Sequence, residues 1–105
     1  MFTGHGPCTI PGVNSTELQQ RAYKFALASI DFYRRLPKSP DAQVPGAQYL
    51  KSSTSQWSNY RAARRGRSRA EFIAKLGVVV EEADESVGWL ELMRDARIPG
   101  AARGS

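Results

Sequence analysis

Five arginines fall within nine positions of the stretch SNYRAARRGRSRAEF: Arg61, Arg64, Arg65, Arg67 and Arg69. No acid interrupts them before Glu71. Like charges this close repel one another, so the cluster needs water or an arriving anion around it. Guanidinium groups present forked donors that match phosphate oxygens. The chemistry on offer is polyanion contact, with a solvated cationic surface or salt bridges to a protein partner as the alternatives. Near the end of a helix, Arg64 and Arg65 would each gain about 0.3–1 kcal/mol from the macrodipole. That account does not reach Arg67 and Arg69, which flank the start of the next helix, where positive charge is unfavourable. Backbone amides at that start, together with Ser68, would suit a phosphate. Lys51 would extend the basic surface, and Tyr60 could stack on a base, although packing inside a bundle is its commoner role.

Other chemistry finds less support. Glu81, Glu82, Asp84 and Glu85 crowd one helix, but a di-metal bundle site needs Glu-x-x-His, and no histidine lies beyond His5. These acids are expected to pair with Lys51 or with arginines of neighbouring helices or subunits, at small individual value if exposed. Glu71 and Lys75 have the spacing of an i, i+4 pair. His5 and Cys8 could begin a metal site, but two ligands without a second pair do not make one. Serines are plentiful without a candidate base beside them, and no glycine-rich stretch matches a nucleotide-binding fingerprint. No catalytic residue, metal ligand or cofactor is expected, and Trp57 and Trp89 read as core or interface anchors.

The chain of 105 residues is one domain's worth at most. A single cysteine excludes an internal disulfide and fits a reducing compartment. No secretory signal or membrane-spanning run is visible, so a cytoplasmic protein is expected. Asn14-Ser15-Thr16 matches a glycosylation acceptor, which means nothing without export. The net charge of +5 is uneven. Residues 1–70 carry 11 Lys and Arg against three acids, whereas residues 71–105 carry four against seven. A basic body with one acidic segment suggests an anionic partner, nucleic acid above all.

Helices must position these residues. Residues 1–14, with three glycines and two prolines, read as a disordered leader. Asn14 with Glu17 and Thr16 with Gln19 have capping-box spacing. Leu18, Ala22, Phe25, Ser29, Phe32 and Leu36 then recur at steps of four and three, the seam of a first helix. Tyr23, Ala26, Ile30 and Tyr33 widen that seam into a bundle face. Prolines 37, 40 and 45 are expected to keep the chain out of helix until about Gly46. A second helix from there to about Arg65 would turn Ala47, Leu50, Thr54 and Trp57 inward, with Tyr49 and Tyr60 beside them. Its run KSSTS implies close helix approach or a partner surface. Ser68 with Glu71 caps a third helix, whose seam is Phe72, Leu76, Val79, Ala83, Ser86, Leu90 and Met93, ending near Asp95. Gly77 and Gly88 each cost about 1 kcal/mol inside a helix, which suggests tight packing there. The expected organisation is a leader at 1–14, an all-α antiparallel up-down bundle at 15–98 and a disordered tail at 99–105.

From Gln48 the text QYLKSSTSQWSNYRAARRGRSRAEFIAKLGVVVEEADESVGWLELM resembles the bacterial four-helix-bundle proteins known as 23S rRNA intervening-sequence proteins. Their superfamily includes the accessory variability determinant of diversity-generating retroelements. The resemblance covers roughly residues 18–98. It is strongest over Ser53 to Leu76, over EEADES (Glu81 to Ser86) and over WLEL (Trp89 to Leu92). It implies an up-down four-helix bundle without known catalytic activity, rings of five subunits, and a basic surface suited to nucleic acid. The retroelement accessory is similar in fold and binds nucleic acid and its reverse transcriptase. Gln56 and Trp57 depart from the smaller residues expected after STS. The family's fourth helix is not present before the chain reaches RIPGAARGS.

The sequence therefore points to a non-enzymatic bundle protein that self-associates, as a pentamer by resemblance. It would bind nucleic acid, RNA more than DNA, through Lys51, Arg61, Arg64, Arg65, Arg67 and Arg69. Phosphate contact of this kind implies strong salt dependence and weak sequence preference. The alternatives are a protein scaffold or adaptor, for example an accessory to a reverse transcriptase, and a truncated remnant without function.

Overall fold

A computed structural model describes residues 15–101, all helix and turn, with three helices and no strand among them. They are α1 (Ser15–Arg35), α2 (Pro40–Arg64) and α3 (Arg69–Asp95). None is long and apolar enough to cross a membrane. The molecule is elongated, 49 × 20 × 18 Å. Helix α2 packs against both others, while α1 and α3 barely touch. The readings of residues 1–14 and 102–105, His5 and Cys8 included, lie outside the described residues.

The seam of α1 packs as its spacing requires, with Ser29, Phe32 and Leu36 buried. Phe32 meets Tyr49 of α2 edge-on, with ring centroids 5.3 Å apart. The Tyr49 hydroxyl shares a buried 3.1 Å hydrogen bond with Ser29 Oγ, which also donates to the Phe25 carbonyl. Phe32, Leu36 and Tyr49 join Ala42, Met93, Ile98 and Ala101 in one core at the end of the molecule where α1 stops.

The start of α2 departs from expectation. Pro40 opens the helix in its first turn, where a missing N–H costs nothing. Pro45 lies inside the helix and removes one of its hydrogen bonds. Packing overrides that loss, because Ala42 and Gly46 are buried. A β-carbon on Gly46 would come within 2.5 Å of Leu36 Cδ1. The preceding turn is tied by a relay in which the Tyr33 hydroxyl donates to Gln43 Oε1 (2.7 Å) and Gln43 Nε2 donates to the Pro37 carbonyl (2.8 Å).

The inner face of α2 is also rotated from the expected one. Ala42, Gly46, Tyr49, Ser53, Tyr60 and Ala63 are buried, whereas Ala47 is exposed and Leu50, Thr54 and Trp57 are half-buried. The cause is its central position: a helix gripped from two sides buries a broad arc, and small hydroxyls admit neighbours that leucines would hold off. Ser52 is buried with its hydroxyl turned onto its own helix, 3.1 Å from the Gln48 carbonyl.

Ser68 caps α3 as expected, its Oγ accepting from the Glu71 N–H at 3.1 Å. Phe72, Ser86 and Met93 of the expected seam are buried, and Leu76, Val79, Ala83 and Leu90 half-buried. Gln56 Nε2 bridges α2 to α3 by donating to Ser86 Oγ (3.1 Å). Gly77 and Gly88 are not tightly packed: a β-carbon at either would meet nothing within 4 Å. Beyond α3 the chain reverses through two left-handed residues, Arg97 (φ 62°) and Gly100 (φ 89°). Ile98 and Ala101 re-enter the core, so Pro99–Ala101 belong to the folded body rather than to a tail.

Candidate functional site

The arginine cluster occupies the end of the molecule where α2 stops and α3 begins. Arg61 and Arg64 lie in the last turn of α2, where the helix dipole favours cations. Arg65 to Ser68 make the turn, and Arg69 opens α3. Gly66 lets the turn close. A β-carbon there would sit 3.1 Å from the Ala63 carbonyl oxygen and 3.2 Å from the Phe72 nitrogen, both backbone atoms that cannot swing aside.

Among the described residues no cluster arginine makes an ion pair with a carboxylate; the described pairs are Arg21–Glu17, Arg35–Asp31 and Arg94–Asp95. Arg64 donates to Gln19 Oε1 of α1, a neutral partner that leaves its charge uncompensated. Arg61 places its guanidinium carbon 5.2 Å from the centre of the Trp57 ring, a cation–π contact. Arg65, Arg67 and Arg69 are exposed.

Two amides at this junction, those of Arg67 and Glu71, are engaged by the chain itself. Glu71 Oε1 accepts from the Arg67 N–H at 2.9 Å, and Ser68 Oγ takes the Glu71 N–H. The carboxylate already supplies the negative charge that this helix end attracts. It is therefore spent on the cap, and the pair expected with Lys75 is not among the described ion pairs. Arg65, Arg67 and Glu71 line one groove of about 290 Å³ on the α3 side.

Arg61 and Arg64 face the other way. With Thr16, Gln19, Gln20 and Tyr23 of α1 and with Trp57 they line a second groove of about 380 Å³. Tyr23 and Trp57 lie with ring centroids 5.7 Å apart and planes inclined at 55°. The cluster thus wraps around the helix end rather than forming one flat patch. Lys51 is exposed but stands 10 residues before Arg61, the nearest cluster arginine, about 15 Å along the helix. It flanks the cluster without joining it.

Tyr60 takes the packing role that its sequence reading favoured over base stacking. Tyr60 is buried at 2% exposure and unable to offer its ring to a ligand. Trp57, read as a core or interface anchor, is half-buried and lines this groove, and Tyr23 beside it is half-exposed. The signal for Tyr23 was weak, because an aromatic one step off a helical seam is usually packing, and Trp57 fell on the stripe expected to turn inward. Glu81, Glu82, Asp84 and Glu85 of α3 form no ion pair with Lys51 or with an arginine among the described residues. Glu82 accepts from Asn59 Nδ2 at 2.9 Å, while Glu81, Asp84 and Glu85 are exposed.

An apolar groove of about 240 Å³ lies between α1 and α3 above α2, lined chiefly by Leu18, Ala22, Phe25, Tyr60, Leu76 and Val79. Among the described residues no group of His, Cys, Asp or Glu is arranged to hold a metal ion.

No family model and no curated protein matches the chain. A solved structure does. It is a crystal structure at 1.70 Å resolution of a protein of unknown function from the S23 ribosomal protein family, from Bacteroides thetaiotaomicron VPI-5482. The two chains are 34% identical and superpose with a TM-score of 0.71, over 75% of this chain and 70% of that one. That identity, over more than two thirds of each protein and with the same helical fold, fits the resemblance carried by residues 18–98. The chain belongs to the S23 ribosomal protein family.

Proposed function

We propose that this chain is a non-enzymatic, cytoplasmic helical-bundle protein that self-associates and binds nucleic acid, structured RNA before DNA, through phosphate contacts at its arginine-rich end. Its three helices would form part of an antiparallel up-down bundle. The observation that carries the reading is the set of five arginines around one helix junction, none paired with a carboxylate among the described residues. The Glu71 carboxylate takes a backbone N–H rather than a guanidinium, so the cluster keeps its charge available to an outside anion.

The test is salt-dependent binding. Neutralising four phosphates of a single-stranded segment predicts that affinity falls roughly 50-fold between 50 and 200 mM salt. Changing Arg64, Arg65 and Arg67 together to alanine should lower the slope of log affinity against log salt by about two. Affinity indifferent to salt and to that triple change would refute the reading.

A second reading, a protein adaptor such as an accessory to a reverse transcriptase, is favoured by the apolar groove between α1 and α3. An adaptor would keep its partner when the arginines are removed and lose it when Leu76 or Val79 becomes charged.

A further inference from the structure

The groove between the start of α1 and the end of α2 combines features that plain phosphate contact does not require. Phosphate binding needs cations alone, yet an exposed Tyr23 and a half-buried Trp57 line the groove beside Arg61 and Arg64. Tyr23 is 49% exposed, although aromatic rings placed for stability are ordinarily withdrawn into a core. Phe32, Tyr49 and Leu36 pack α1 against α2 at the far end of the pair, while Tyr23 and Trp57 touch across this end and still leave Tyr23 exposed. We propose that this groove takes an unpaired nucleobase together with its phosphate. The inference rests on the nucleic-acid reading above and names which form of the nucleic acid this part of the interface selects.

The geometry supports such an occupant in three ways. The Arg61 guanidinium lies over Trp57, so its outer face remains a flat cationic surface on which a base can stack. Tyr23, tilted against Trp57, offers a ring at the groove wall. Arg64, held by Gln19, stands where a phosphate attached to that base would fall. The volume of about 380 Å³ is within the range of small-ligand sites. A base inside a duplex cannot reach these surfaces, because its faces are covered by its neighbours. The groove therefore selects unpaired nucleotides, as in loops or bulges, while Arg65, Arg67 and Arg69 engage phosphates of either form.

The chain has two tryptophans, so the full protein carrying Trp89→Phe leaves Trp57 as its single indole reporter. It is titrated at low salt with a ten-nucleotide single-stranded RNA and with a blunt RNA duplex of equal phosphate count. The expected result is quenching of Trp57 by the single strand, little change with the duplex, and roughly tenfold tighter binding of the single strand. In a protein with native Trp89, Trp57→Leu should lose roughly that tenfold, read by anisotropy of labelled RNA, with duplex affinity moving less than twofold. Trp57→Phe should retain most of the binding because it keeps a stacking face. If Trp57→Leu fails to fold by circular dichroism, Tyr23→Ala carries the same comparison. Equal affinity for both RNAs with Trp57 emission unchanged would overturn the stacking site while leaving the arginine reading intact. Absence of binding to either RNA at low salt would overturn both.

Discussion

Ser53 shows how residue-level costs reveal what a helix contact demands. Its hydroxyl is fully buried and without a hydrogen-bond partner, whereas Ser52 and Thr54 turn theirs back onto α2 carbonyls. A buried, unsatisfied hydroxyl costs about 1–3 kcal/mol, and alanine is also the better helix former. Ser53→Ala should therefore raise stability, by about 1 kcal/mol, in urea denaturation. A loss of stability would mean that the hydroxyl has a partner in the assembled protein. Tyr49 is the converse case. Its hydroxyl meets Ser29 Oγ in the core, so Tyr49→Phe should cost about 1 kcal/mol, the net value of an ordinary hydrogen bond. An unchanged denaturation midpoint would remove that bond from the account.

The elements differ in how far their sequences disclose them. Helices α1 and α3 each have one buried stripe, and the four-three rhythm identifies it. The capping pair Ser68 and Glu71 marks the start of α3 to the residue. Helix α2 is less legible because it is gripped on two sides and its buried positions include a glycine and two serines, which carry no hydrophobic signal. Its start is hidden behind Pro40 and Pro45, since the gain from seating Gly46 on Leu36 is long-range and outweighs a local rule. Of the candidate site, the arginines are evident from spacing alone. The Trp57–Tyr23 groove is not, because it depends on which side of α2 receives α1. The glycines of α3 belong to the same lesson. Gly77 and Gly88 interrupt a helix at positions open on all sides. Replacing each with alanine should stabilise the isolated chain by up to about 1 kcal/mol. Stabilisation by both, with no change in mass in solution, is expected if they serve no contact. Stabilisation with a fall in mass would place them where another helix comes close.

At the scale of the whole molecule, the unresolved demand is apolar surface. Ile73, Val80 and Val87 of α3 are 55%, 64% and 51% exposed. They recur every seven residues, which keeps them in a single stripe drifting only about 20° per step. The buried stripe through Phe72, Ser86 and Met93 has the same interval but lies about 100° around the helix, so α3 presents one face inward and another outward. Leu76, between the two stripes, and Val79, on the buried one, reach the groove shared with α1. A stripe of exposed apolar residues on a small protein suits association, and the seven-residue interval suits a helix from a second copy. Self-association through α3 would leave the arginine-rich junction at one end of each subunit and multiply weak phosphate contacts by proximity. The prediction is that Ile73→Glu with Val80→Glu reduces the mass measured by light scattering to that of one chain while circular dichroism keeps its helical signal. RNA affinity should fall with it, even though no arginine has changed. A wild-type protein that is already monomeric at tens of micromolar would refute self-association outright, and an oligomer that survives both substitutions would move the interface away from this face.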